Sequence, residues 1–388
     1  MNSGRFVLSQ ILDLVHRQRL DRLVECYHVQ SRVRHFGCRQ QFICMALAQL
    51  TLREGLRDIA TCLNAKPEAL YHLGFREPVA KSTLAEANEQ RDWRLWEGLA
   101  KHLLRKARSL HTGEDLGLEL ENTIYALDST TINLSLTLFP LAEFRRTNAG
   151  IKLHTPVDLR GPIPTCIHIT AARQHDVRWL DELLFEAGAF YLIVRGCMDF
   201  KRLDLIARAG AFFITRAKDN LRFSRQQSLP VTATAVRSDQ IGKPTLPNAR
   251  KDFPWLLRRV CGFGAETEST LIFLTNHLDM PALTVALIYR LRWRLELFFR
   301  WIKGHRRIKH YYGTSPNAVK TQIWIAITVY LMVAILHKQL SLPGTRHRTM
   351  QLLNVHPFEK VPLHELVTEA EFKLPPANNA NQLLLLDL

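Results

Sequence analysis

The sequence predicts an α/β core, a mixed sheet flanked by helices, preceded by an all-helical amino-terminal domain and interrupted by a β-rich insertion. Three observations predict it. Apolar residues recur at helical spacing through the first 115 or so positions; short apolar strands begin abruptly at Thr123; and a stretch with scattered Gly and Pro over 220–285 separates those strands from a second helical half. At roughly 100–200 residues per domain, 388 residues suggest two or three domains.

In the amino-terminal part, Phe6, Ile11, Leu12, Val15 and Leu20 keep a helical period, as do Phe42, Met45, Leu47 and Leu50. Ser82-Thr83 ahead of Glu86 has the form of a capping box, opening a helix that runs through Trp93, Trp96 and Leu99. His111 to Glu119, with two Gly and three acids, is the expected linker. TIYALD (123–128) is an apolar strand ending in an acid. GIKLHTPVD (150–158) and IPTCIHIT (163–170) form a hairpin around the turn at 158–162, and His175-Asp176 opens a helix through Leu180, Leu183 and Leu184. AFYLIV (189–194) is apolar throughout, as a buried parallel strand would be. A helix over Leu203–Ala209 and a strand AFFIT (211–215) follow, giving the element order of the ribonuclease H-like fold. The predicted domains are 1–115 (helical), 120–219 with 286–345 (core), 220–285 (β-rich insertion) and 346–388 (a carboxy-terminal tail).

Fifty-two Lys and Arg against 36 Asp and Glu leave a formal charge of +16, which favours a polyanionic partner. Seven Cys at irregular spacing, with no C-x-x-C pair, argue against a disulfide scaffold and a structural zinc site. The first helix is broken by Asp13, His16, Arg17 and Arg19 and does not read as a signal peptide. The longest apolar run, Ile323 to Leu336, is fourteen residues where a membrane span needs about 20. The expectation is a soluble cytoplasmic protein with no membrane partner, nucleoid-associated when bound to DNA.

Two places carry candidate chemistry. Asp128 ends an apolar strand, where ligands of open α/β sheets gather; an acid there is also a common turn residue. Between Tyr289 and Lys320 stand nine Lys or Arg and one acid, Glu296. Helical spacing puts Tyr289, Arg292, Glu296, Arg300 and Lys303 on one face, with Leu291, Leu295, Phe298 and Ile302 as a buried stripe. A lone carboxylate in such a face is either a salt-bridge partner or a ligand for a metal ion beside bound phosphate. Trp293, inside the basic helix, and Trp255, in the insertion, are either core residues or platforms for an unpaired base. His154, His168 and His175 fit no metal spacing, and Cys197 has no matched His and Asp constellation.

The Tyr289, Arg292, Glu296, Lys303 spacing resembles the Y-R-E-K signature of DDE transposases of the insertion sequence 4 family. The likeness extends over about residues 5–340, through RVRHFGCRQQF (32–42), LRDIATCLNA (56–65), YALDSTT (125–131) and KLHTPVDLRG (152–161). The resemblance implies a ribonuclease H-like catalytic core using two divalent ions, Mg²⁺ or Mn²⁺. It implies binding to the terminal inverted repeats and to target double-stranded DNA, and a homodimer that joins two ends in a synaptic complex. It maps the first catalytic, metal-binding Asp to Asp128 and the Glu to Glu296, and places Tyr289, Arg292 and Lys303 on transposon-end phosphates. The departure is the second Asp. Where the family's strand ends Asp-Arg-Gly-Tyr, this chain reads Val194-Arg195-Gly196-Cys197, and valine has no lone pair for a hard cation. Asp199, five residues on, is a weak substitute. Three readings stay open: a cut-and-paste transposase, a DNA-binding relative without catalysis that occupies ends or inhibits active copies, and a metal nuclease of the same fold.

Overall fold

The computed structural model describes residues 4–29, 35–114, 116–118, 120, 122–134, 149–171, 178–231, 233–264, 269–303, 311–313 and 315–372. The chain divides into two compact units. One comprises Met1–Thr112, Ile132–Ala149 and Phe299–Pro376, the other Gly113–Thr131, Gly150–Phe298 and Ala377–Leu388.

The first unit opens with helices α1 (Val7–Leu12), α2 (Arg17–Cys26), α3 (Cys38–Leu50), α4 (Leu56–Asn64), α5 (Pro67–His72), α6 (Lys81–Gln90) and α7 (Arg94–His111). Helix α3 is buried on nearly every side, as its run from Phe42 to Leu50 with Gln49 as the only polar residue requires. The capping box expected at Ser82 is not where the helix starts. Helix α6 begins at Lys81 with Ala80 as N-cap, and the helix expected through Trp93 is two helices. The break is held from far along the chain. Asn317 Nδ2 donates to the carbonyls of Asn88, Glu89 and Arg91, and its Oδ1 accepts from Trp93 N–H. One amide thus serves the orphan groups at both helix ends.

The second unit is built on a ten-stranded mixed sheet: β1 (Ile124–Leu134), β2 (Ala149–Asp158), β3 (Ile163–Pro164), β4 (His168–Ala171), β5 (Phe190–Ile193), β6 (Phe212–Arg216), β7 (Phe223–Leu229), β8 (Val236–Pro244), β9 (Leu257–Gly264) and β10 (Ser269–Thr275). The strand order is β3-β2-β1-β5-β6-β10-β9-β8-β7, with β4 also on β2. Strands β1, β5 and β6 are parallel neighbours; the strands of the 220–285 stretch extend this same sheet through antiparallel pairs. The expected 163–170 strand is two short ones: both pair antiparallel with β2, but β4 is one residue out of register with β3, Ile163 lying opposite Asp158 and His168 opposite His154. The helix expected after 175 is a 3-10 turn, Arg178–Glu182; His175 and Asp176 lie outside the described residues.

Alternation sets the faces. Tyr125, Leu127, Tyr191, Ile193 and Phe213 form one core with α8 (Phe200–Arg208), through Leu203 and Ile206. The opposite face carries α10 (Ala282–Arg290), against β6, β8, β9 and β10; a short α9 (Pro247–Asp252) precedes it in the chain and α11 (Trp293–Lys303) follows it.

Helix α12 (Pro316–Gln339) is the core of the first unit. By length and composition it could cross a membrane, yet 94% of its apolar window is buried against α3, α6, α7 and α13 (Arg346–Val355). The sequence predicts a tail from 346. Instead α13 packs on α12 and α3, and the start of α14 (Leu363–Phe372) is tied to the amino-terminal helix, where Gln10 donates to the Val361 carbonyl and accepts from Leu363 N–H. The segment with Pro375-Pro376 lies outside the described residues.

Candidate active site

The register of three parallel strands brings the first candidates together. Leu127 pairs with Ile193, and Ile193 with Thr215. The next positions along the row are therefore Asp128 on β1, Val194 just past β5, and Arg216 at the end of β6. Asp128 does not end its strand, because the β-branched Thr130, Thr131 and Ile132 carry β1 on to Leu134. It stands where the pairing with β5 stops. Ser129 N–H donates to Asp128 Oδ1 at 2.7 Å. Alternation places Asp128 and Arg216 on the sheet face that α10 covers.

The basic segment is not one continuous helix. Helix α10 ends at Arg290 and α11 starts at Trp293, joined by a tight turn in which Arg292 N–H donates to the Tyr289 carbonyl and Leu295 N–H to that of Arg292. The neighbours expected from the spacing still meet across the break. Arg292 Nη2 lies 2.9 Å from Glu296 Oε1, and its guanidinium stands 5.9 Å from the Tyr289 ring centroid. The Tyr289 ring also packs on Phe273 of β10, 5.0 Å between centroids. Leu295, Phe298 and Ile302 are buried as a stripe; Leu291, in the turn, is half-buried. Arg294 Nη1 ties this helix to the β2–β3 turn through the Leu159 carbonyl at 3.0 Å.

Electrostatics joins the strand row and the helix turn into one cluster. Burial raises the Tyr289 hydroxyl above the ordinary tyrosine value, Arg292 and Arg216 oppose the shift, and the Asp128 carboxylate adds to it. Arg216 is the residue that sequence reasoning missed. The residue is half-buried, and its guanidinium makes no hydrogen bond or ion pair among the described residues. It lines a small cavity of about 270 Å³ with Lys218, Asp219 and Arg259. The sequence predicts a strand ending at Thr215, one residue short. The available signal was an arginine leaving a parallel strand at the same sheet edge as Asp128.

The other candidates are placed as follows. Val194 is half-buried against the sheet core. Asp199 is the N-cap of α8; its Oδ1 accepts from Arg202 N–H at 3.2 Å, and the same oxygen meets the Arg202 guanidinium. Arg300 is exposed and Trp293 half-buried, both with partners; the side chain of Lys303 lies outside the described residues. Trp255 is 51% exposed, so it is not a core tryptophan, and its Nε1 donates to Asp204 on α8, over the other sheet face. His154 is buried, bonded to Thr170 and stacked near Trp179; Cys197 is buried in the core.

A divalent ion needs hard oxygen ligands in a fixed shell. Among the described residues no three His, Cys, Asp or Glu stand together so as to hold one, Glu296 is bound to Arg292, and Val194 offers no donor. The side chains present do not fit a two-metal triad. What they do provide is two guanidinium groups and a phenol around two carboxylates, a set that can neutralise and orient a phosphodiester.

The transposase DDE domain family matches residues 119–332, and a domain family of unknown function matches residues 3–76. A Sinorhizobium fredii protein named as transposase y4zB is 31% identical over 218 residues, 54% of this chain and 59% of that protein. A Geobacillus stearothermophilus protein named as the transposase of insertion sequence element IS5377 is 27% identical over 228 residues, 57% of this chain and 59% of that one. The chain thus aligns with about three-fifths of the length of these relatives. A solved piggyBac transposase synaptic complex with hairpin DNA aligns over 98% of this chain and 84% of its own at 10% identity, with a TM-score of 0.46. With the DDE domain match spanning more than half of its length, this chain belongs to the DDE transposase family.

Proposed function

We propose that this chain is an insertion-sequence transposase of the insertion sequence 4 type whose DNA-holding machinery is intact and whose cleavage centre lacks its middle carboxylate. The observation that carries the reading is the strand register: one residue past the pairs Leu127–Ile193 and Ile193–Thr215 stand Asp128, Val194 and Arg216, so the position between an acid and a cation is held by a valine, whose side chain packs on the core beside α8. Tyr289, Arg292 and Glu296 are the Tyr, Arg and Glu of the signature, and Lys303 completes it. Arg292 and Arg216 neutralise phosphate charge, and Tyr289 donates to the backbone of a terminal inverted repeat. The core from 120 to 219 and 286 to 345 is of ribonuclease H-like kind, the helical part from 1 to 115 adds DNA contact, and 220–285 is the insertion. Two protomers joining two ends, and a cytoplasmic, nucleoid-bound location, complete the proposal.

The chemistry of the family is divalent-ion-assisted phosphodiester cleavage and strand transfer. The residues of this chain support no step of it, because Val194 cannot coordinate Mg²⁺ or Mn²⁺ and Asp199 is engaged as a helix cap. The test compares wild type with Val194→Asp for Mg²⁺- or Mn²⁺-dependent cleavage of the element's own ends. Only the aspartate variant is expected to cut, while both bind the ends alike. Cleavage by wild type overturns the reading of Val194. Failure of wild type to bind duplex DNA at all overturns the functional assignment.

A further inference from the structure

Helices α2 and α7 pack antiparallel, and the packing can be followed pair by pair. Arg94 acts electrostatically on Tyr27; a Cβ on Gly98 would stand 2.9 Å from Leu23 Cδ2; one turn on, His102 is within reach of Arg19 and His16. Gly98 allows the close approach, since any side chain there meets Leu23. The pairing gathers His16, Arg19, His102, Arg105 and Lys106 at one end of the two helices.

The charges in that group are all of one sign. The groups acting on His102 are Arg19, Arg105, His16 and Lys106, with no acid among them, and together with burial they hold its imidazole below the ordinary histidine value. Two other cations of the same helices are matched within their own helix: Arg17 lies 3.8 Å from Asp21, and Lys101 2.9 Å from Glu97. Arg19, Arg105 and Lys106 form no ion pair among the described residues, and Arg19 Nε is buried without a partner. Such crowding of like charge opposes folding and is relieved by a polyanion.

We propose that this end of the α2–α7 pair grips the phosphate backbone of double-stranded DNA, a second DNA-holding surface on the helical unit that extends the DNA-binding reading above and rests on it. Three cations close to one another match the run of phosphates along a groove edge, without reading base sequence.

The experiment measures affinity of the full chain for an inverted-repeat duplex and a random duplex across a salt series. The variants are Arg19→Gln/Arg105→Gln/Lys106→Gln, the charge-keeping Arg19→Lys/Arg105→Lys, and Arg292→Gln as the core comparison. The triple variant is expected to bind both duplexes equally more weakly and to flatten the log–log salt slope by about 0.9 for each phosphate it no longer neutralises. The lysine variant is expected to keep the wild-type slope. The triple variant is expected to melt no lower than wild type, because repulsion is removed, which separates weaker binding from impaired folding. An unchanged slope in the triple variant, with Arg292→Gln weakened, overturns this inference and leaves the core reading standing. Weakening confined to phosphatidylserine vesicles, with DNA binding kept, overturns it in favour of a membrane surface. Wild type that binds no duplex overturns both readings.

Discussion

The sheet unit holds two arginines beside carboxylates in opposite ways. Arg258 on β9 forks onto Asp239 of β8 at 2.8 and 2.6 Å and directs its remaining donors to the carbonyls of Leu278 and Met280; both side chains are at most 4% exposed. At the end of β6, Arg216 lies half-buried with no such partners, opposite Phe273, on which the Tyr289 ring packs, and it acts electrostatically on the Tyr289 hydroxyl, as Asp128 does. The first arrangement gives each of the three guanidinium nitrogens a partner from within, so it serves the fold. The second leaves donor capacity for something outside the chain. A buried charge that is fully answered marks architecture, and one held but unanswered marks a site.

The comparison breaks hardest at the saturated end. Asp239→Ala leaves a buried guanidinium without its anion and is expected to destabilise the protein by about 3–5 kcal/mol, read as a fall in urea midpoint. Asp239→Leu/Arg258→Met, which removes both charges, is expected to recover most of that stability. If the single and double variants unfold alike, the pair is not the closed unit described.

Much of the sheet unit was legible because its signals are local. The alternation of β2, the apolar run of β5, the TLIFLT stretch that forms β10, and Pro281 opening α10 are each readable within ten residues. What stayed hidden is non-local or unpunctuated. The α6–α7 break has no Gly or Pro; it is fixed by Asn317, 226 residues beyond the Arg91 carbonyl it binds. The turn at Leu291-Arg292 likewise lacks a breaker, so a helical period runs straight through it. Asp128 and Glu296 are candidates through the resemblance. Arg216 is not, because its importance comes from strand register, which brings it into line with Asp128 across two ladders.

At the unsaturated end the balance reverses. Arg216→Gln is expected to change folding stability by no more than about 0.5 kcal/mol, since it removes no internal partner. It is expected to weaken binding to a transposon-end duplex by about tenfold, the scale of one charge-assisted hydrogen bond to phosphate. Equal falls in stability and affinity would put Arg216 with Arg258 as an architectural residue.

The smallest effect discriminates most finely, because it reads the cluster without DNA. Burial holds the Tyr289 hydroxyl above 10.0, Arg292 and Arg216 pull it down, and Asp128 pushes it up. Replacing Arg216 by Gln removes a cation that favours the phenolate, so the Tyr289 titration moves further up. Asp128→Asn removes an anion that disfavours it, so the titration moves down. A spectrophotometric tyrosine titration, with Tyr289→Phe as the blank, checks both signs. The linkage to folding has a fixed direction too: a tyrosine titrating higher in the folded state contributes stability that is present below about pH 10 and is lost as pH rises through the folded value. Arg216→Gln therefore extends that contribution to higher pH and Asp128→Asn shortens it. Opposite movements from two residues on different strands require both to act on one hydroxyl; if either substitution leaves Tyr289 unmoved, the row across β1, β5 and β6 does not meet the α10–α11 turn as a single site.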